Sequence, residues 1–507
     1  LLLVDMVFCF YWLPRMGRHP KVLTDSVLNL DIRDYGYYST PEFVADFISG
    51  TILDLHPQGE HVLDPAVGKE ELLRNFLVAG KTVDAFDIHC YKDSYKSNFQ
   101  QLNFLDFYMQ WKTGQNSADR QGAPYDYYVM NPPYNCHEVN YIRKNKAQLQ
   151  RLFAEVGVLN MYSMFLAATI DMAKDGALIG AIVSDSFMHN SMHRALRHKI
   201  LQNCSLHYLL LCPNELFWQQ KADIRTAIII LQKGVQYQKK VFCLQRSNNA
   251  REFQACLEAR RFTEYERNDL ILESAGNPST LVVDVVPSVS EIFRAAPALG
   301  TVYPCLTGIS TGNDRKYLSK TPDAYFTMPF YKNPGKRKFF AAPDGYLPQQ
   351  FSEIAGREKT FIVRNRAYLS SEAISCSSMG VDFSVAYRPA GTTFGVNANI
   401  FPGAENLWWL MAYLNSALVL YMVRAVIIRS NMITSGYVSR IPLISLSAQT
   451  KTALAALARA AFDAAAAGRS TGHYLGQIDA LVFAECNLPE ADEVRIREFR
   501  QNLLKRV

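Results

Sequence analysis

Short apolar runs, turn residues and helical stretches alternate along the first half of the chain in the manner of an α/β sheet. Residues 60–64 read as a short strand, Pro65 to Gly68 as a tight turn, and Glu70 to Leu73 as the start of a helix. Lys81 to Ile88 reads as the next strand, Asn103 to Phe107 as a third that carries Asp106, and Tyr125 to Met130 as a fourth. Asp64, Asp87 and Asp106 are then successive strand-terminal carboxylates, and Asn131-Pro132-Pro133-Tyr134 comes directly after the fourth strand. Sheets of this kind bind ligands at the carboxyl ends of their strands, so all four features are expected on one edge.

Further along, residues 236–300 read as strands with a helix, including Gln238 to Leu244 and Leu281 to Val286, before Pro287 opens an apolar helix. The run from Leu407 to Ile428 is apolar enough to suggest a membrane span. Asn415 and Arg424 inside it favour a buried helix of a soluble domain. Alanine-rich Lys451 to Phe462 has helical apolar spacing, and Gly476 to Phe483 and Glu493 to Phe499 read as helices too. The apolar start, Leu1 to Leu13, has neither an initiating methionine nor a basic leader and is too short to span a bilayer. It reads as a gene-start artefact, with Met6 or Met16 as the start, or else as a segment packed on the sheet.

At 507 residues, about half of them apolar, the chain is long enough for two or more domains. The ten cysteines show no Cys-x-x-Cys pair, so neither a zinc site nor a disulfide framework is indicated, and reduced thiols in a bacterial cytoplasm are expected. The formal charge of +6 is uneven. Thr301 to Arg440 holds fifteen Lys and Arg against eight Asp and Glu, an excess of seven, which leaves −1 for the rest. Such a basic region suits a phosphate backbone, although a solvated face gives the same count. Lys336, Arg337 and Lys338 lie in a turn beside aromatic residues, and Arg364 and Arg366 add forked donors suited to phosphate or guanine edges.

Asn131 to Tyr134 carries the chemistry. The lone pair of an amine such as adenine N6 is delocalised into its ring, so two acceptors must hold its hydrogens before it can attack an electrophilic methyl. The Asn131 side-chain oxygen offers one and the Pro132 carbonyl the other, while Pro132 and Pro133 stiffen the turn. Tyr134 offers a face on which a base rotated out of a duplex can stack. A plain strand and proline turn would read the same way locally, and it is the acidic strand ends upstream that favour the chemical reading.

With these residues the chain resembles the gamma-type, Taq-like N6-adenine DNA methyltransferases, which use S-adenosyl-L-methionine. Gly36 to Asp46 resembles the N-terminal cofactor motif of that family, which implies cofactor contacts from Tyr38, Thr40 and Pro41. Asp64, Ala66 and Gly68 resemble its methionine-binding turn, Asp87 with Ile88 its ribose site, and Asp106 with Phe107 its contacts to the cofactor adenine. Asn160 to Leu166 resembles the next family helix, Gly180 to Phe187 the strand after it, and Glu215 to Phe217 through Ile228 to Lys233 its last paired strands. A looser resemblance to target-recognition domains covers Cys305 to Asp314, Val396 to Pro402, Ala412 to Ser416 and Ile433 to Pro442.

The resemblance implies a Rossmann-like S-adenosylmethionine-dependent methyltransferase domain of α/β class, then a mixed α/β target-recognition domain and C-terminal helices. The expected divisions are an extension at 1–30, a catalytic domain at 31–240, a transition at 241–300, DNA recognition at 301–445 and helices at 446–507. Two positions depart from the family. Glu70 stands where a small residue is usual and is expected to cap the helix start or face solvent, the alternative being a weakened cofactor site. Leu231 replaces an aromatic wall for the flipped base, with Phe217 as the other candidate. Double-stranded DNA is the implied partner, alongside a separate restriction endonuclease or defence-system protein; no membrane role or metal is expected, and the implied location is the bacterial cytoplasm with the nucleoid. RNA or protein-glutamine N-methylation, or a DNA-binding subunit with a degenerate site, are the other readings.

Overall fold

The computed structural model describes residues 37–114, 123–135, 140–218, 224–274, 277–428 and 432–501; the expected extension at 1–30, with Met6 and Met16, and also Gly36 lie outside them. Among the described residues the largest sheet has nine strands. They are β1 (His61–Asp64), β2 (Thr82–Asp87), β3 (Asn98–Gln101), β4 (Tyr127–Met130), β5 (Leu178–Ser184), β6 (Cys204–Leu211), β7 (Thr226–Lys233), β8 (Val241–Leu244) and β9 (Thr263–Tyr265), in the order 3-2-1-4-5-7-6-8-9.

β1 to β5 are mutually parallel where they pair, and β7 enters antiparallel between β5 and β6. Strand order reverses between β1 and β4, which leaves a crevice at their carboxyl ends. Asp64 ends β1 and Asn131 lies just past β4, so the reversal brings them together. β4 and β5 are buried on both faces, as their unbroken apolar runs require. Tyr127 and Tyr128 point to opposite faces and join separate cores. The helix Glu42–Leu55 lies so close to β5 that a Cβ on Gly180 would come 2.7 Å from Ile48 Cγ2.

Beyond residue 240 the sheet continues through β8 and β9. A four-stranded sheet built from Cys305–Leu306, Ala373–Cys376, Val385–Arg388 and Asn399–Ile400 shares one core with the C-terminal helices. A three-stranded sheet around Phe326–Tyr331 belongs to a smaller core with Ile309, Tyr317 and Phe394. Arg440 donates to the His189 carbonyl at 3.0 Å, joining the end of the basic region to the loop after β5.

Several elements differ from the sequence reading. Asn103 to Phe107 is not a strand: Asn103 Oδ1 accepts from Leu105 N at 2.9 Å and the helix Phe104–Gly114 begins there. A short apolar run fits either element, and the Asn cap decides in favour of helix. Glu215 to Phe217 lies in turn structure, and β6 is the partner of β7. The strand Asn277–Leu281 ends where one was expected to begin. Leu407 to Ile428 is two buried segments, Ala404–Leu414 and Ala417–Ile427, bent by 66°. Among the described residues no single helix is long and apolar enough to cross a membrane.

Candidate active site

The turn after β1 is built on a buried carboxylate. Asp64 Oδ1 accepts from Ala66 N at 3.0 Å, and burial pushes the Asp64 pKa well up. The turn reaches across to β2: Val67 N donates to the Phe86 carbonyl at 3.0 Å and Gly68 N to Asp87 Oδ2 at 3.1 Å. Gly68 has φ +55°, and a Cβ there would run into the Tyr37 ring, so both conformation and space call for glycine. Asp87 Oδ1 takes a second N–H, from His89 at 3.1 Å. Burial still dominates at Asp87 and pushes its pKa up to about 6.

Residues 37–40 pass over this turn. The Tyr37 ring stacks on Tyr91 with centroids 4.5 Å apart, and its hydroxyl donates to Glu71 Oε1 at 2.6 Å. Ser39 Oγ donates to the same oxygen at 2.7 Å, and Lys69 N to Glu71 Oε2 at 3.0 Å. Pro41 then precedes the helix Glu42–Leu55, its carbonyl accepting from Val44 N and Ala45 N, both at 3.0 Å.

Asn131 sits just beyond β4 at the mouth of the crevice. Its amide nitrogen donates to the Tyr38 carbonyl at 2.7 Å and to Thr40 Oγ1 at 3.0 Å. Its Oδ1 accepts from the Tyr134 hydroxyl at 2.8 Å. Pro132 is buried and Pro133 lines the cleft. The Tyr134 hydroxyl also lies 3.0 Å from the Ile182 carbonyl, and its ring stands between Tyr38 and Tyr162 at 6.1 and 6.4 Å. Behind it, Tyr162 contacts Ser186 Oγ at 2.8 Å and His193 Nε2 at 3.1 Å; burial lowers the His193 pKa to about 4, so the ring is neutral at ordinary pH.

Between the turn and Asn131 lies a cleft open to solvent. Pro65, Ala66, Asp87, Ile88, Asn131 and Pro133 line it, as do Tyr37, Tyr91, Asn103, Phe104, Tyr141, Met161 and Phe165. A ribose-sized group at Asp87 would find a carboxylate acceptor, and an adenine would find apolar and aromatic walls, so the residues present fit S-adenosyl-L-methionine. Asp106 and Phe107 do not line the cleft. Asp106 Oδ1 accepts from the Tyr141 hydroxyl at 2.6 Å and Phe107 packs on Phe86 at 4.9 Å, while Asn103 and Phe104 occupy the cleft wall. The one-turn shift arises because the helix starts at Phe104. An Asn directly before an apolar run was the available sign of a helix start.

Glu70 neither caps the helix nor faces solvent. It has φ +69° and makes no side-chain cap; its carboxylate is buried against Lys92, Lys96 N (2.9 Å), Ser97 N (2.9 Å) and Ser97 Oγ (2.7 Å). Burial raises its pKa, but the bonds from Lys92 and Ser97 outweigh that and hold it below the usual value. Leu231 is fully buried inside β7, paired with Ile179 and Leu206, and forms no wall of the crevice. Phe217 is buried with its ring 6.2 Å from Tyr38.

The basic residues separate. Lys336, Arg337 and Arg366 are exposed and Arg364 is half-buried. Lys338 turns inward, its ammonium 3.1 Å from the Phe383 carbonyl, 3.8 Å from Asp382, and its pKa lowered by burial. Arg388 is buried too, donating to Asn399, Leu369, Thr392 and Ser371 with its guanidinium 4.7 Å from the Phe394 ring. Part of the charge excess therefore holds the fold and does not face solvent.

Residues 31–273 match the family model described as N-6 DNA Methylase. The match covers just under half of the chain. Over 211 residues the chain is 22% identical to the Type II methyltransferase M.BsuBI of Bacillus subtilis, covering 37% of this chain and 41% of that protein. It is 25% identical over 209 residues to the Type II methyltransferase M.BanIII of Aneurinibacillus aneurinilyticus, covering 36% of each. The matches thus span about two-fifths of the length of these relatives. The fold of the chain is similar to that of the Type IIL restriction-modification enzyme MmeI in complex with DNA, with a TM-score of 0.57, 12% identity and coverage of 92% of this chain and 76% of that one. The ATP-dependent Type ISP restriction-modification enzyme LlaBIII bound to DNA gives 0.52 at 12% identity, covering 85% and 40%.

Proposed function

We propose that the protein is an S-adenosylmethionine-dependent DNA methyltransferase of the gamma motif order, acting on the N6 amine of an adenine rotated out of duplex DNA. The observation that carries this reading is Asn131: both hydrogens of its amide are taken by Tyr38 and Thr40, so its oxygen, which accepts from Tyr134 with one lone pair, keeps the other for a substrate amine, beside a cleft whose lining suits the cofactor. S-adenosylmethionine, when bound, supplies an electrophilic methyl group on sulfur. Asn131 Oδ1 and the Pro132 carbonyl would accept the two amine hydrogens, which would free the nitrogen lone pair for the methyl group that the cofactor supplies. The methylated amine then loses one proton to water, and position and electrostatics account for the catalysis. Asp87, in the cleft wall, would accept from the cofactor ribose.

In this reading residues 31–240 carry the chemistry, 241–300 form a transition, 301–445 grip and read the DNA, and 446–507 form the C-terminal segment, helical over Ala448–Ala466, Gly472–Glu485 and Glu490–Gln501. Lys336, Arg337, Arg364 and Arg366 contact the DNA, and a separate restriction endonuclease or defence protein acts with the enzyme. The test is single-molecule sequencing of DNA from cells producing the wild type or Asn131→Ala. A sequence motif carrying N6-methyladenine only with the wild type supports the reading; an equal mark with Asn131→Ala, or none with either, overturns it.

A further inference from the structure

We propose that Thr40 is a positioning residue for Asn131, and that residues 37–40 form a strap, locked on Glu71, that presets the reactive face of the Asn131 amide. The inference rests on the function proposed above. A carboxamide can sit in two orientations that differ by a half-turn. The Tyr38 carbonyl can only accept, so at 2.7 Å it must face the amide NH2. Thr40 Oγ1, at 3.0 Å, takes the remaining hydrogen, and Thr40 is only 5% exposed, so water does not stand in for it. With the amide turned over, two acceptor oxygens would meet at Tyr38 and the NH2 would be aimed at an amine, donor against donor.

The strap has a fixed anchor. Tyr37 and Ser39 both donate to Glu71 Oε1, and Lys69 N holds the other oxygen of Glu71. One carboxylate on the cofactor turn therefore fixes the segment that holds Asn131, although 91 residues separate Thr40 from Asn131 along the chain. The resemblance implied a cofactor contact at Thr40, but Thr40 does not line the cleft and its hydroxyl is on Asn131, so its side chain acts through Asn131.

Thr40→Val keeps shape and removes the acceptor; Thr40→Ser restores it. Single-turnover transfer from tritiated S-adenosylmethionine to plasmid DNA from a methylation-deficient host should slow about 10- to 100-fold in Thr40→Val. Its cofactor dissociation constant should stay within about twofold, and Thr40→Ser should recover most of the rate. An unchanged transfer rate, or weakened cofactor binding with a normal rate at saturation, overturns the proposal. If the wild type transfers no methyl group, the functional reading falls. Positioning is then decided by the Asn131 side-chain amide resonances of asparagine-labelled full-length protein: slow exchange in the wild type lost in Thr40→Val supports it, and identical exchange in both overturns it.

Discussion

Replacing Glu70 by glycine puts the unusual turn to a quantitative test. If the glutamate were a defect in a glycine-rich turn, Glu70→Gly would tighten cofactor binding. The structure gives the opposite expectation. The substitution relieves a left-handed backbone, a gain of about 1 kcal/mol reduced by the extra chain entropy of glycine. Against it stand the bonds to Lys96 N, Ser97 N and Ser97 Oγ and the Lys92 ion pair, whose carboxylate side is 4% exposed. Taking about 1 kcal/mol for each of the three bonds, because water reaches the half-exposed 92–97 loop, the net loss is roughly 1–3 kcal/mol. For a region this size that lowers the melting midpoint by roughly 2–10 °C. Because the folded pKa of Glu70 lies below its ordinary value, its contribution is full at neutral pH and fades as pH falls through the folded value. The wild-type–variant difference should therefore shrink in acid. Thermal melts by circular dichroism at neutral and acidic pH, with a cofactor titration, provide the readout. A variant as stable as the wild type, or one that binds cofactor much more tightly, would refute the reasoning.

Two other outcomes are expected. Burial raises the Asp87 pKa to about 6, so the fold loses a little stability as pH rises through that value, while a ribose hydroxyl bonded to the ionised carboxylate reverses the preference. Cofactor affinity measured by calorimetry should be flat above about pH 7 and fall toward tenfold per unit below about 6; a flat profile down to pH 5 would remove Asp87 from the binding site. Neutralising Lys336 and Arg337 together should weaken DNA binding and shallow its salt dependence by up to about two counterions, whereas Lys338→Met should leave that slope alone because its ammonium points inward. Equal slopes for wild type and the double variant would make the exposed pair a solvated face.

What the sequence determined by itself was the part written in local pattern. The aromatic and β-branched run Tyr127–Met130, closed by the proline turn at Asn131–Pro133, reads as a strand covered on both sides, and a carboxylate or Asn at the end of β1, β2 and β4 marks one sheet edge once strand direction is known. The Gly68 turn was legible because glycine alone is comfortable at its φ. Tertiary structure decided the rest, because direction and partner are not local properties. Asn103 to Phe107 was apolar enough for either element until the Asn cap closed a helix on it. Lys338 and Arg388 count the same as exposed cations in any sum of charges, yet packing turned them inside. Glu70 found its donors more than 20 residues away, in Lys92 and Ser97, and Asn131 found Tyr38 and Thr40 more than 90 residues away. A hydrogen bond acts over about 3 Å in space with no regard for separation along the chain, so only folding fixes which way an amide or a carboxylate points.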